Sequence, residues 1–191
     1  MASPLDQMRT LRDQVVGIVG FGRIGREVAA RLAPFKCRRL VFDPVVPAEV
    51  VVGAGCEALS FDDLLSTSDV VTLHCPSTPQ TRKLIDAAAF QRMKPGAILV
   101  NVARGDLVDS AALASALASK RLAGAALDVF DPEPIPADSP IRAAPNVIAA
   151  AHIASASPHS VRTLRQTAAR IAAAALAGEP LPNVVNGVRA V

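Results

Sequence analysis

Residues 15–25, Val-Val-Gly-Ile-Val-Gly-Phe-Gly-Arg-Ile-Gly, decide the fold, because an apolar strand-like stretch runs directly into three spaced glycines. Gly20 permits a tight turn, Gly22 leaves room for a pyrophosphate, and Gly25 lets the next helix pack on the sheet. That helix, predicted over 23–32, points its first N–H groups at the phosphates. The stretch therefore predicts a dinucleotide site after the first strand.

The sequence that follows supports this reading, which a GxGxxG match alone supports only weakly. A second apolar stretch ends on Asp43, which lies 18 residues after Gly25. A carboxylate at this position can accept both ribose hydroxyls of an adenosine. Asp43 would also repel a 2′-phosphate, and residues 44–46 offer no cation to receive one, so NAD is predicted over NADP. The alternative, a glycine-rich turn within a core, is disfavoured by this context.

The composition favours one aliphatic α/β domain. The chain has 191 residues, 51% of them hydrophobic, with no Trp and no Tyr, which suits buried parallel strands. Its net charge of +3 comes from scattered Arg, without the basic block that would predict a nucleic-acid partner. The apolar stretch at 171–177 is too short for a membrane span, so no membrane partner is expected. The N-terminus is polar and unlike a signal sequence, which favours a cytoplasmic protein.

The cysteines also favour an intracellular, reducing compartment. Cys37, Cys56 and Cys75 are odd in number and lack the spacing of metal ligands. We therefore expect free thiols in a reducing compartment and no metal site.

Short Val/Ile/Leu stretches alternate with helical ones, which is typical of βαβ units and predicts an α/β fold, a Rossmann-like doubly wound parallel sheet. The predicted strands are Val15–Gly20, Arg39–Asp43, Val70–His74, Ala97–Asn101, Ala125–Asp128 and Val147–Ala150. Further helices are predicted from a Ser60 cap to about Ser66, from an Asp109 cap to Ala118, and over 157–177 with Gly178 as C-cap. The predicted domains are an N-terminal remnant or helix over 1–14, the Rossmann domain over 15–177, and a C-terminal tail over 178–191.

Polar residues recur where the predicted strands end, and ligands of open parallel sheets bind at that edge. These residues are Asp43, His74, Arg104, Asp128, Glu133 and His152. The proline-rich stretch 131–136, which carries Glu133, is predicted to be a loop.

Arg104 could offer its planar guanidinium to a substrate carboxylate, with Gly105 giving the chain freedom to turn it inward. Taken alone, it could equally be a surface residue in a salt bridge. Glu133 could hold one ring nitrogen of His152, leaving the other to exchange a proton with a substrate hydroxyl. A lone His152 would more simply be a satisfied histidine at a strand end.

Three further polar residues are less informative. Asp128 could accept from a nicotinamide carboxamide or could cap a loop, and the sequence leaves both readings open. His74 is expected to pack near the cofactor, and His159 is expected to be exposed.

Taken in order, the motifs GIVGFGRIGREVA, VFDP, LHCPSTPQTRKLI, MKPGAILVNVARGDLVD, AGAALDVFDPEP and NVIAAAHIAS resemble the nucleotide-binding domain of the NAD-dependent D-isomer-specific 2-hydroxyacid dehydrogenases. The resemblance implies Arg104 as carboxylate ligand, His152 as acid/base, Glu133 as its partner, and Asp128 at the nicotinamide. It implies cofactor contacts from Gly20, Gly22, Arg23, Ile24, Gly25, Asp43, Cys75, Pro76, Thr81, Val102, Ala103 and Arg104.

The resemblance also implies a homodimer and a second, substrate-covering domain. Only 14 residues precede Val15, so most of that domain is expected to be absent and the tail to return towards it in relatives. Ser155 stands where many relatives have Gly, and its hydroxyl could contact substrate or be without a role.

The predicted function is hydride transfer between NAD and C2 of a D-2-hydroxy acid or 2-oxo acid, with full activity expected to need the missing domain. Two alternatives remain at this point, an NADH-sensing non-catalytic interaction module and a structural domain with a decayed site. The combination of Arg104, Glu133 and His152 argues against the sensor, whereas failure to bind any dinucleotide would indicate the decayed site.

Overall fold

A computed structural model describes residues 9–182 and 184. Residues 1–8 of the predicted N-terminal segment lie outside the described residues, as do 183 and 185–191 of the predicted tail. A 3-10 turn at Leu11–Asp13 precedes the first strand. Across the described part, every helix falls short of the length and apolarity that crossing a bilayer requires.

Seven strands form one parallel sheet in the order β3-β2-β1-β4-β5-β6-β7. They are β1 Val15–Val19, β2 Arg38–Phe42, β3 Glu57–Ala58, β4 Val70–Leu73, β5 Ala97–Asn101, β6 Leu122–Leu127 and β7 Val147–Ala149. The strand order reverses between β1 and β4, which creates the crevice where doubly wound sheets bind ligands. The predicted fold class is confirmed.

Six α-helices occur within the described residues. They are α1 Arg23–Leu32, α2 Ala48–Gly53, α3 Phe61–Thr67, α4 Ala87–Arg92, α5 Ser110–Ala118 and α6 Pro158–Leu176. The predicted bounds of α1 are confirmed. The predicted caps are also present, since the side chain of Ser60 accepts from the Asp63 N–H and that of Asp109 accepts from the N–H groups of Ala111 and Ala112.

Several predicted boundaries are wrong by one to three residues. Five of the six predicted strands run one residue too far at their C-terminal ends, so Gly20, Asp43, His74, Asp128 and Ala150 follow the strands, whereas β5 has its predicted bounds. Strand β6 begins earlier than predicted, since residues 122–124 pair with β5 although they include a glycine. At the end of α6, Ala177 is the C-cap, and Gly178 follows it with a φ of 70°.

Side chains on the two faces of the sheet enter separate cores. Neighbouring residues of β1 divide between them, with Ile18 in one core and Val19 in the other, as the two-residue period of a strand requires. Ala29 of α1 and Val51 of α2 join the core of Ile18. Leu113 of α5 lies in the core of Val19 with residues of α3 and α4. The helices therefore cover both faces.

The chain divides into two compact units, the first ending at His152 and the second starting at Ile153. The sheet with α1–α5 belongs to the first unit and α6 to the second. A capping box starts α6, in which Ser157 and Ser160 exchange side-chain and backbone hydrogen bonds. Ser155 is exposed in this second unit, where its carbonyl accepts from the Ser160 hydroxyl at 2.6 Å.

Candidate active site

The glycine loop after β1 turns as its sequence predicts. Gly20 has a φ of 95°, and a Cβ there would lie 2.6 Å from the backbone nitrogen of Cys75. A Cβ on Gly25 would collide with the carbonyl oxygen of Gly20, so the start of α1 packs directly on the loop. Gly22, by contrast, has no protein atom within 4 Å of its Cβ position. The space that a pyrophosphate would need is therefore open.

Asp43 ties the loop after β2 to the glycine loop. One carboxylate oxygen accepts from the N–H of Phe21 at 2.6 Å, and the other accepts from Val45 at 2.8 Å and Val46 at 3.0 Å. Burial works to raise the pKa of Asp43, but these three backbone bonds and the charge of Arg26 outweigh it and hold the pKa below its usual value. Asp43 is therefore an ionised, well-anchored carboxylate.

Phe21 holds the glycine loop from its other side. Its ring is fully buried, and the Arg26 guanidinium lies 5.7 Å from the ring centroid. The Nε of Arg26 also donates to the Phe21 carbonyl at 3.0 Å. The loop conformation is thus set by contacts within the chain, ready for a ligand.

The end of β4 forms the neighbouring wall. The His74 N–H donates to the Val19 carbonyl at 2.7 Å, and its ring Nε2 lies 3.0 Å from the Thr72 hydroxyl. Burial lowers the pKa of His74, which keeps the ring neutral, and burial raises the pKa of the Cys75 thiol. The Thr81 hydroxyl donates to the Pro76 carbonyl at 2.7 Å and shapes the turn that follows.

These features fit a dinucleotide. The N-cap of α1 is Gly22, which has no side chain to accept from the first helical N–H groups, so they can serve as donors to a diphosphate. Asp43 supplies an anionic acceptor at the end of β2. Ile24 is 64% exposed beside the loop and offers apolar surface.

The end of β6 and the end of β7 bring Glu133 and His152 together. The Nδ1 of His152 lies 2.9 Å from Oε2 of Glu133, and Oε1 of Glu133 accepts from the Phe130 N–H at 2.8 Å. The His152 bond is the main cause that lowers the pKa of Glu133, and the Phe130 bond adds to it. His152 itself has a φ of 56°, in the left-handed region, while its N–H donates to the Asp128 carbonyl at 2.8 Å.

Arg104 faces the same space from the end of β5. A cavity of about 260 Å³ is lined by Ser77, Arg104, Gly105, Asp106, Val129, Phe130, Asp131, Glu133 and His152. Arg104 is exposed, and its Nη1 donates to the Ala103 carbonyl at 2.6 Å. The structure therefore brings the three predicted catalytic residues to one cavity.

Three other residues singled out in the sequence do not line this cavity. Asp128 is 5% exposed and does not line this cavity, although its carbonyl binds the His152 N–H. Val102 is 37% exposed in the loop before Arg104. His159 lies in the second unit and is exposed, as predicted.

Sequence reasoning missed two residues next to the site. Phe130 lines the cavity and fixes Glu133 through its N–H. Asn101, the last residue of β5, is buried and its side chain bonds to the backbone that leads to Arg104. Its position immediately before the Val-Ala-Arg-Gly motif was the available signal.

The chain belongs to a known family. Residues 2–154 match the D-isomer specific 2-hydroxyacid dehydrogenase family, NAD binding domain, which confirms the family predicted from its motifs. The cofactor predicted from the glycine loop and Asp43, NAD, is the one that this domain binds.

Curated relatives agree. The chain is 42% identical to the D-3-phosphoglycerate dehydrogenase of Mycobacterium leprae over 173 residues, which cover 91% of this chain and 33% of the relative. It is 41% identical to the glyoxylate reductase of Thermofilum pendens, over 92% of this chain and 52% of the relative. The chain thus spans between a third and about half the length of these relatives.

Solved structures show the same fold. D-lactate dehydrogenase from Lactobacillus jensenii, solved with NAD+, superimposes with a TM-score of 0.87 at 32% identity, covering 97% of this chain and 59% of that one. D-lactate dehydrogenase from Aquifex aeolicus, complexed with NAD and lactic acid, gives a TM-score of 0.85 at 32% identity, covering 94% and 58%.

Proposed function

We propose that this chain forms the cofactor-binding and proton-transferring part of an NAD-dependent oxidoreductase that interconverts a D-2-hydroxy acid and its 2-oxo acid. The observation that carries the proposal is the 2.9 Å contact between His152 and Glu133 in a cavity shared with Arg104. NAD, when bound, accepts the hydride from C2 of the hydroxy acid or, as NADH, returns it to the oxo acid.

His152 moves the proton that accompanies this transfer. Because Glu133 accepts at Nδ1, that nitrogen carries a hydrogen, and Nε2 remains to take the proton of the substrate hydroxyl or to give it to the carbonyl oxygen. The lowered pKa of Glu133 keeps it ionised at neutral pH, and its charge stabilises the protonated ring. Acid–base catalysis by such a placed group contributes about 10²–10⁴ in rate.

Arg104 binds the substrate carboxylate. A guanidinium has five N–H donors in a planar fork that matches a carboxylate. One nitrogen of Arg104 donates to the Ala103 carbonyl, which leaves its other N–H groups for the ligand. Arg104 thereby sets the distance between the substrate carboxylate and His152.

The remaining predicted residues would hold NAD. We assign the diphosphate to the loop of Gly20, Gly22 and Gly25 with the first residues of α1, Arg23 and Ile24. The pocket walls would come from Cys75, Pro76, Thr81, Val102 and Ala103, and the nicotinamide end from Asp128.

Asp43 would accept from the adenosine ribose. Its carboxylate already receives three backbone N–H groups, and a carboxylate has about four acceptor positions. The ribose hydroxyls would therefore share oxygens that also hold the glycine loop, which links ribose recognition to the shape of the diphosphate site.

Substrate, assembly and compartment are proposals of the same kind. The relatives' names include phosphoglycerate, glyoxylate and lactate enzymes, all of which act on small 2-hydroxy or 2-oxo acids. We propose a homodimer, to be checked by light scattering after gel filtration. The free thiols of Cys37, Cys56 and Cys75 support a cytoplasmic location.

The first test is a titration of the 191-residue chain with NADH by calorimetry, followed by addition of glyoxylate and measurement of NADH loss. Saturable one-to-one binding is expected. Chain that is folded by circular dichroism yet binds no NADH would refute the proposal. A non-catalytic NADH sensor predicts binding without any NADH loss, even when the substrate domain of a relative is supplied, and it gives no role to the Glu133–His152 pair.

A further inference from the structure

Asn101 occupies an unusual position for an amide side chain. It is the last residue of β5, it is 1% exposed, and it pairs with Leu73 of β4 on one side and Leu127 of β6 on the other. A buried carboxamide in the middle of a sheet needs hydrogen-bond partners, because an unsatisfied one is destabilising.

Both ends of that carboxamide bond to the loop that carries Arg104. Nδ2 donates to the carbonyl of Arg104 at 2.8 Å, and Oδ1 accepts from the N–H of Ala103 at 3.1 Å. The peptide groups Val102–Ala103 and Arg104–Gly105 are therefore both fixed, and the backbone of Arg104 between them is extended. We infer that Asn101 is the positioning residue that holds Arg104 at the cavity, a role that rests on the function proposed above for Arg104.

The loop is also fixed on its far side. A Cβ on Gly105 would collide with the carbonyl of Phe130, so the Arg104 loop packs backbone to backbone against the segment that follows β6. The carbonyl of Asn101 accepts from the Asp128 N–H at 3.0 Å, and the carbonyl of Asp128 accepts from the His152 N–H at 2.8 Å. Asn101 thus connects the carboxylate-binding and proton-transferring sides of the site.

This arrangement predicts a selective defect. Both side-chain bonds of Asn101 go to the Arg104 loop and neither goes to the glycine loop. Without them the guanidinium keeps its charge but samples more positions, so it binds a carboxylate less well. Affinity for NADH should fall less than affinity for a carboxylate, because Asn101 bonds to Ala103 on the pocket wall but has no side-chain bond to the glycine loop.

The test uses the 191-residue chain, with Asn101→Leu as the main variant and Asn101→Ala as a second. Ser68→Ala is the matched control. Ser68 is also fully buried, and its hydroxyl donates to the Leu64 carbonyl at 2.7 Å. It precedes β4 and so lies at the N-terminal ends of the strands, away from the site. Three quantities are measured, namely the amide exchange rate of Ala103 by NMR, the affinity of the chain for NADH, and the affinity of the NADH-loaded chain for oxamate, a non-reducible analogue of a 2-oxo acid.

In the Asn101 variants we expect Ala103 exchange to rise about tenfold or more and oxamate affinity to fall about tenfold, with a clearly smaller loss of NADH affinity. Ser68→Ala should change none of the three. The inference is overturned by unchanged Ala103 exchange, by unchanged oxamate affinity, or by equal losses of NADH and oxamate. It is also overturned if neither Asn101 variant folds while Ser68→Ala does.

Failure of the unaltered chain to bind NADH would count against the proposed function instead. Exchange of the Ala103 amide requires no ligand, so in that case it alone decides whether Asn101 holds the loop.

Discussion

Replacing Asp43 should separate the role of this carboxylate in holding the glycine loop from the role in cofactor selection that we propose for it. In Asp43→Ala, the N–H groups of Phe21, Val45 and Val46 lose their acceptor. Phe21 is fully buried, and a buried donor without an acceptor costs about 1–3 kcal/mol. Val45 is 84% exposed, so water can replace its bond at little cost. We expect the free energy of unfolding to fall by about 1–3 kcal/mol.

The second role is electrostatic. A unit charge near a 2′-phosphate in a partly exposed site is repelled by about 1–4 kcal/mol, which corresponds to a factor of about five to about a thousand in affinity. Asp43→Asn keeps the size of the side chain and one oxygen acceptor but removes the charge. We expect the preference for NADH over NADPH to narrow by that factor in Asp43→Asn, with a smaller loss of stability than in Asp43→Ala.

Both quantities can be measured cleanly. The chain has no Trp and no Tyr, so the anisotropy of NADH and NADPH fluorescence reports binding without protein background. Urea unfolding followed by circular dichroism gives the stability. An unchanged ratio of NADH to NADPH affinity in both variants would refute the ribose assignment. An unchanged unfolding free energy in Asp43→Ala would refute the argument for the loop.

Gly22→Ala should fold normally yet lose most NADH affinity, because its Cβ meets no protein atom within 4 Å and would fill the diphosphate space. Gly20 has a φ of 95°, so Gly20→Ala should lose stability and NADH binding together. Calorimetry and urea unfolding of both variants test this. Glu133→Gln should reduce stability by at most about 1 kcal/mol at neutral pH, since the pair is more than a third exposed. Because the folded pKa of Glu133 is depressed, that contribution is present above its ordinary pKa of 4.5 and is lost as pH falls through the lower folded value. A stability difference between the two proteins that does not shrink as pH falls below 4.5 would contradict it. Asp69→Asn should reduce stability by about 1–2 kcal/mol through loss of its 2.6 Å bond with Lys94. NADH affinity should stay the same, because Asp69 lies just before β4, at the N-terminal ends of the strands. A loss of NADH affinity would contradict this.

Features encoded by local sequence were predictable. The glycine loop, the bounds of α1 and the caps at Ser60 and Asp109 follow from a few adjacent residues whose conformational preferences are strong. Strand β3 and helix α2 were not predicted, because contacts with neighbours in space stabilise them. Helix α2 contains three consecutive β-branched Val residues, which disfavour a helix, and it forms where Val51 is buried.

The candidate site shows the same division. The rule that ligands bind at strand ends pointed to Arg104, Glu133 and His152 as candidates. In the structure these three residues line one cavity. The rule does not reveal that Asp43 accepts from three backbone N–H groups. Nor does it reveal that the side chain of the buried Asn101 bonds to the Arg104 loop. Such bonds depend on how loops from different strands fold against one another, which sequence spacing does not encode.

The left-handed backbone of His152 has an evolutionary consequence. A residue with a φ of 56° that is neither Gly nor Asn carries about 1–2 kcal/mol of conformational strain. Selection for stability alone would favour Gly at this position, so the proton-transfer role proposed for the imidazole gives a reason for the histidine. In a lineage that lost the activity, drift should replace this residue early, ahead of the glycines that shape the fold.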